Sequence, residues 1–268
     1  MRALLTLLLV GTVAIAGANA QEGADPRITD LVRAGKLRVG IGVVAPHWAV
    51  KDAKTGELSG VAVEIARALA ARIGTELSFV EYPSPPAVLD GLKTNAWDVG
   101  FLASDPSRAE VVDFSPPYLQ IDATFLVPTG SLVRDVTDID QSGTRIAVTA
   151  RSVEEIILRR ILKGAEVHTV ETVPAGLELV RSGKADALAA PRPALLPLSV
   201  RLEGSRVLDG RFHTAFGAIA VPKGQAGRLS YVTDFVEQAK RSGQVQQAIE
   251  RGGARGVQVA PLAEVPIK

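Results

Sequence analysis

Ile121-Asp122-Ala123-Thr124-Phe125-Leu126-Val127-Pro128 and Phe212-His213-Thr214-Ala215-Phe216-Gly217-Ala218-Ile219-Ala220-Val221 are two extended, apolar stretches set between runs of a different kind. Their reading decides the architecture. β-branched and aromatic residues build a buried strand, whereas a flexible tether is rich in glycine and serine. Neither stretch is a tether. Before the first stretch, and again between the two, short β-rich runs alternate with runs of helical period. That order builds parallel sheets with crossover helices.

In the first unit residues 37–44 read as a strand. Val61, Ile65, Leu69 and Ile73 recur every four residues, giving one apolar face to a helix that Gly74 stops. Residues 77–82 form the next strand. Ser84-Pro85 supplies an N-cap and a proline at the first helical position for a helix through Leu92, and residues 97–102 form a third strand with Trp97 assigned to the core. The second unit has strands over residues 145–149, 166–170 and 186–190, with helices over 152–162 and 175–181 between them. Residues 92–98 and 180–186 echo each other: each ends a helix, turns, and enters a strand with an aspartate. An amphipathic helix carrying Leu229, Val232, Val236 and Ala239 follows the second apolar stretch. A chain that leaves one lobe through residues 121–128, builds a second, and returns through residues 212–221 has a hinge of two strands and a cleft between its lobes. The expected division is a signal peptide over residues 1–20, a discontinuous first lobe over 26–122 plus 215–260, a second lobe over 123–214, and a tail over 261–268.

Of the 268 residues 47% are hydrophobic, enough for one large or two modest cores, so disorder is excluded for most of the chain. Seven Phe, two Trp and three Tyr are too few for base-stacking platforms, and a formal charge of +1 gives no basic excess. Nucleic acid is therefore not an expected partner. With no cysteine, disulfides, thiolate nucleophiles, thiolate zinc sites and a lipid-modified N-terminal cysteine are excluded together. His47, His168 and His213 lie far apart, in no metal-ligand spacing, and no cofactor motif is complete. Arg2, the apolar run from Ala3 to Ala16, and small residues in Ala18-Asn19-Ala20 read as a cleaved signal peptide. The run is shorter than the roughly 20 residues of a spanning helix. Its removal takes away Arg2 and with it the excess charge; an exported, disulfide-free protein suits a bacterial periplasm.

Ala34-Gly35-Lys36-Leu37-Arg38-Val39-Gly40 followed by Pro46, then Gly56-x-x-x-Gly60-Val61-Ala62-Val63-Glu64-Ile65-Ala66, Asp98, Arg108 and Val112-Asp113-Phe114-Ser115-Pro116-Pro117-Tyr118 resemble the extracellular solute-binding proteins of family 3. These are periplasmic receptors of polar-amino-acid ABC transporters. The similarity covers roughly residues 26–251, and residues 108–118 are its specific part. It implies an α/β, two-lobed periplasmic-binding-protein fold of the Venus-flytrap, type II kind, with two hinge strands. It also implies a monomeric receptor, not an enzyme, that closes on a small ligand and docks on an inner-membrane ABC permease.

Arg108 is the leading ligand-binding candidate. Asp105-Pro106-Ser107-Arg108 reads as an N-cap, a proline at N1 and first-turn residues, so the guanidinium stands at a helix N-terminus beside unpaired backbone N–H groups. There it can hold a carboxylate by two parallel hydrogen bonds, the role this arginine has in the family. The alternative is a surface arginine paired with Glu110 or Asp113. Asp105 is counted with it, and Ala103 and Ser104 fall where family members make small hydroxyl or backbone contacts. Ser152-x-x-Glu155 reads as a capping box, which alone explains Ser152; a ligand contact is the other reading. Where the family usually has Gly-Thr, Ala150-Arg151 stands, and Arg151 either adds charge to the pocket or faces solvent. Trp48 is an aromatic wall over the ligand or a core residue, and His47 is a donor or a surface histidine. Arg192, before Pro193 at a helix start, is placed facing the ligand.

Two departures set the expected chemistry. Many family members pair the ligand ammonium with an aspartate after the strand beginning Asp186-Ala187, but this chain has Ala189-Ala190-Pro191-Arg192 there. The aspartate often found after the first strand is also missing from Gly40-Ile41-Gly42-Val43-Val44-Ala45. A buried ammonium without an anionic partner is costly. The expected ligand is thus a small anion, such as a carboxylate or dicarboxylate, or an amino acid held differently. Cyclohexadienyl dehydratases, which resemble these receptors, give the enzymatic alternative; its general acid would have to be Glu64, Asp105 or Glu154. Gly40-x-Gly42-x-x-Ala45 runs into Pro46 and not a helix, against a dinucleotide site. A membrane sensor needs a spanning helix or signalling domain after the lobes, which the sequence through Lys268 does not supply.

Overall fold

The computed structural model describes residues 25–32 and 35–263; the expected signal peptide, Ala34 of the opening motif and most of the expected tail lie outside them. Among the described residues, one continuous sheet runs in the order Glu76–Tyr82, Lys36–Gly42, Val99–Ala103, His213–Pro222, Leu119–Val127, Ala187–Pro191, Arg145–Thr149, Glu166–Val170. The three strands at each end are mutually parallel. The two long central strands run antiparallel to each other and to their outer neighbours.

Those central strands correspond to the apolar stretches. Leu119–Val127 pairs through residues 119–123 with residues 213–217, then through residues 123–126 with Ala187–Pro191. His213–Pro222 uses residues 217–220 against Val99–Ala103. Each long strand therefore belongs to both halves of the sheet. Leu119–Val127 is buried along almost its whole length, which is why its sequence is apolar without alternation. At Gly217 a Cβ would come within 2.7 Å of the Leu119 side chain and 3.0 Å of the Trp48 ring, so the close approach here depends on a residue without one. A short third strand, Val257–Val259, adds to the Leu119–Ile121 end and was not expected from the sequence.

Helices cover both faces of each half, as a parallel sheet requires. Leu37, Ile65, Leu69, Phe101, Tyr118, Val232 and Phe235 belong to one core cluster, and Val88, Trp97 and Leu102 pack on the opposite face. Beyond the hinge the core is separate: Phe125, Ile146 and Leu158 lie in one cluster, and Leu126, Leu177 and Leu188 in another. The fold is α/β and two-lobed, with a hinge of two strands.

Local readings hold where the signal is strong. The helix Val61–Ile73 ends at Gly74, which adopts φ 75° and donates its N–H to the Ala70 and Ala71 carbonyls. Ser84 caps Pro85–Asp90, but that helix then tightens into a 3-10 turn, Gly91–Thr94. Trp97 is buried as expected, yet it precedes the strand; its indole N–H donates to the Val88 carbonyl at 2.8 Å.

Candidate functional site

Arg108 lies just beyond the C-terminal end of Val99–Ala103, where the chain has turned sharply. Its Nη1 donates to the Ala103 carbonyl at 2.8 Å, pinning the half-buried guanidinium back against the strand it follows. With Val44, Trp48, Pro85, Val88, Phe101 and Leu102 it lines a small cavity of about 60 Å3. Among the described residues Arg108 forms no ion pair, so neither Glu110 nor Asp113 holds it; Asp113 instead pairs with Lys223 at 2.8 Å. A guanidinium among apolar walls interacts strongly with an anion because little water screens the charge.

The expected helix start at Asp105 is corrected. The helical segment is a single 3-10 turn, Arg108–Glu110. The Asp105 carboxylate accepts from the Ser107 hydroxyl and N–H, and the Asp105 carbonyl accepts from the Arg108 and Ala109 N–H groups at 3.1 Å. Asp105 thus consumes the backbone donors expected to face a ligand, and the Ser107 hydroxyl holds its carboxyl below the ordinary range. Ser104 is exposed and committed to the hinge: its N–H donates to the Phe216 carbonyl at 2.8 Å and its hydroxyl to the same oxygen at 3.3 Å.

Trp48 is buried in the core of the first lobe and also lines the Arg108 cavity. His47 is neither fully exposed nor fully buried. It lies partly buried, 5.5 Å from the Trp48 ring between centroids, and burial pushes its pKa down to about 4. It lines a second cavity of about 490 Å3, which spans the interlobe cleft between residues 44–50 of one lobe and the Arg192–Ser199 helix of the other.

The second-lobe candidates are less available. Ser152 caps Val153–Ile161 by accepting the Glu155 N–H at 3.1 Å, but the reciprocal bond of a capping box is shifted one residue: the Glu155 carboxylate accepts the Arg151 N–H at 2.6 Å. Arg151 is exposed and adopts φ 60°, the left-handed region. Arg192, placed toward the ligand by its sequence position, lends its guanidinium to the carbonyls of Leu208, Asp209 and Gly210 and fastens that loop. Ser104, Asp105, Arg151, Ser152 and Arg192 line neither cavity; Arg108 with Trp48, and His47, do.

Sequence reasoning missed the apolar wall supplied by Pro193, Leu196, Pro197 and Val200. It also missed Asp122, a buried hinge carboxylate that accepts the Thr214 hydroxyl at 2.7 Å and lies 3.7 Å from Arg211. Of the carboxylates considered as acids, Glu64 pairs with Arg67 and Arg251 at 2.9 Å each, and neither it, Glu154 nor Asp105 lines either cavity.

Two α/β lobes on a two-strand hinge, with an arginine in a first-lobe cavity beside the end of Val99–Ala103, match a known group. The model of the bacterial extracellular solute-binding proteins, family 3, matches residues 37–251. This chain belongs to that family. The L-cystine-binding protein TcyJ of Escherichia coli (strain K12) is 28% identical to this solute-binding protein over 263 residues, spanning 91% of this chain and 93% of TcyJ. Among solved structures, the ancestral cationic amino acid solute-binding protein AncCDT-1 is 26% identical, with a TM-score of 0.68 over 83% of this chain and 97% of that one. The ancestral cyclohexadienyl dehydratase AncCDT-3(P188L) is also 26% identical, with a TM-score of 0.59 over 84% of this chain and 95% of that one.

Proposed function

We propose that this solute-binding protein serves an ABC importer in the periplasm, as a monomer, and binds a small carboxylate-bearing solute between lobes formed by residues 26–122 plus 215–260 and residues 123–214. The carrying observation is the Arg108 guanidinium, pinned by one bond to Ala103 and lining an apolar cavity; it makes no ion pair among the described residues, although the Asp105 carboxylate, itself bonded to Ser107, feels its charge. With Nη1 engaged, Nε and Nη2 remain as the edge that grips a carboxylate through two parallel hydrogen bonds. Relatives named for amino acids support a carboxylate as the recognised group. An organic anion fits better than an ammonium-bearing solute, because among the described residues neither cavity lining contains an aspartate or glutamate to pair with a cation. Ligand contacts to both lobes favour the closed arrangement over the open one.

The dehydratase reading has less support, since among the described residues no carboxylic acid lines either cavity to protonate a leaving group. Thermal-shift measurements against amino acids, keto acids and dicarboxylates test the proposal. Stabilisation by carboxylates, and none by amines lacking a carboxylate, is expected; stabilisation by amines alone refutes it, and turnover of prephenate or arogenate restores the enzyme.

A further inference from the structure

The 490 Å3 interlobe cavity and the Arg108 cavity share a wall residue, Val44. From the first lobe Pro46 and Val50 line it; from the second, Pro193, Leu196, Pro197 and Val200. Val44 is 47% exposed and Val200 84% exposed, so large apolar side chains stand uncovered on facing walls of the cleft. Such surface in a concave site marks a place that an apolar partner covers. Its polar members do not alter this character: His47 is neutral at pH 7, with a pKa of about 4, and Arg255 is a further cation and not an anion. An ammonium placed among the prolines, valines and leucine would lose its hydration without gaining a partner, and for a second carboxylate the cation of the lining, Arg255, is exposed, where a pair is worth little. An aliphatic or aromatic group would instead remove apolar surface from water on both lobes at once.

We propose that the carboxylate held at Arg108 belongs to a solute whose remaining body is uncharged and apolar, branched aliphatic or aromatic, and that this body fills the cavity between Val44 and the Pro193–Val200 wall. The proposal rests on the Arg108 reading and narrows its substrate class. Closure then follows from the same contact, because the apolar body bridges residues of both lobes.

Isothermal titration of the purified protein with 3-phenylpropionate, 4-methylvalerate, succinate and L-lysine tests it. The first two are expected to bind at least about tenfold more tightly than succinate or lysine, the scale on which a hydrophobic pocket discriminates. Val200→Gln, at an exposed position that leaves the fold intact, and Leu196→Gln are each expected to weaken 3-phenylpropionate about fivefold or more while leaving succinate unchanged. Succinate or lysine binding as tightly as the apolar acids, or variants that bind 3-phenylpropionate like the parent, overturn the cavity assignment and leave Arg108 as the anion site. Failure of all four probes to bind the parent protein removes the Arg108 reading itself, and the cavity assignment with it.

Discussion

Arg38 clamps Asp98 through three donors: its backbone N–H and Nε meet Oδ2 at 3.0 Å each, and Nη2 meets Oδ1 at 2.8 Å. The Asp98 N–H returns to the Arg38 carbonyl at 2.8 Å. Arg145 and Asp186 repeat the arrangement in the other lobe, atom for atom, at 2.8 to 3.0 Å. In each lobe the first strand is thereby fastened to the entry of the third. This pair of clamps is the physical content of the sequence echo between residues 92–98 and 180–186.

Equal geometry does not mean equal worth. The Asp98 side chain is fully buried and also lies 3.8 Å from buried Arg228, whereas the Asp186 side chain is 43% exposed. Removing one partner of a buried pair strands the other charge and costs about 3–5 kcal/mol. A solvated pair is worth about 1 kcal/mol or less. Asp98→Ala is therefore expected to destabilise far more than Asp186→Ala, as read from urea unfolding midpoints; equal losses contradict the role given to burial.

His47 predicts a pH dependence. Its pKa is about 4 in the folded chain against an ordinary 6.5, because burial disfavours the imidazolium. Between these values the unfolded chain binds a proton that the folded chain does not. This stabilisation is complete above pH 6.5 and is lost as pH falls toward 4. A shift of this size on a partly exposed side chain is worth about 2 kcal/mol. Asp113 and Asp186, held low by Lys223 and Arg145, lose most of their contributions below the carboxylate value of 3.8 and so bear only on the acid end of this window. His47→Gln is expected to flatten the stability profile between pH 6.5 and 4.5; an unchanged slope contradicts the assignment.

Arg151 occupies the left-handed region at φ 60° while its N–H serves the Glu155 carboxylate. That backbone conformation costs a side-chain-bearing residue about 1–2 kcal/mol, partly offset in glycine by greater freedom when unfolded. Arg151→Gly keeps the N–H and is expected to stabilise by about 0.5–1 kcal/mol. Arg151→Val is expected to destabilise. Thermal midpoints of the two variants check the signs.

Much of the fold was legible because its strongest signals are local or fully buried. The four-residue recurrence from Val61 to Ile73 and the stop at Gly74 mark a helix at both ends. Leu119–Val127 and residues 217–221 read clearly because a segment buried on both faces becomes a continuous apolar run, while residues 213–216 are only half-buried. The turn at Asp105 did not, since an aspartate capping a helix and an aspartate closing a single turn use the same residues. Arg192 was placed by sequence position alone, and no local signal foretells that the loop at residues 208–210 takes up its donors. Leu196 and Val200 look like ordinary core on a short helix; only the second lobe opposite Val44 makes them a cleft wall.

The most direct test is the affinity of the parent protein, Arg108→Lys and Arg108→Ala for whichever carboxylate stabilises the parent most, measured by isothermal titration. Loss of a charged partner in a desolvated site predicts that Arg108→Ala weakens binding by several kcal/mol, and that Arg108→Lys, which cannot make the parallel pair of bonds, recovers only part of it. If Arg108→Ala binds that carboxylate as tightly as the parent, the anion is held elsewhere and the functional account is wrong.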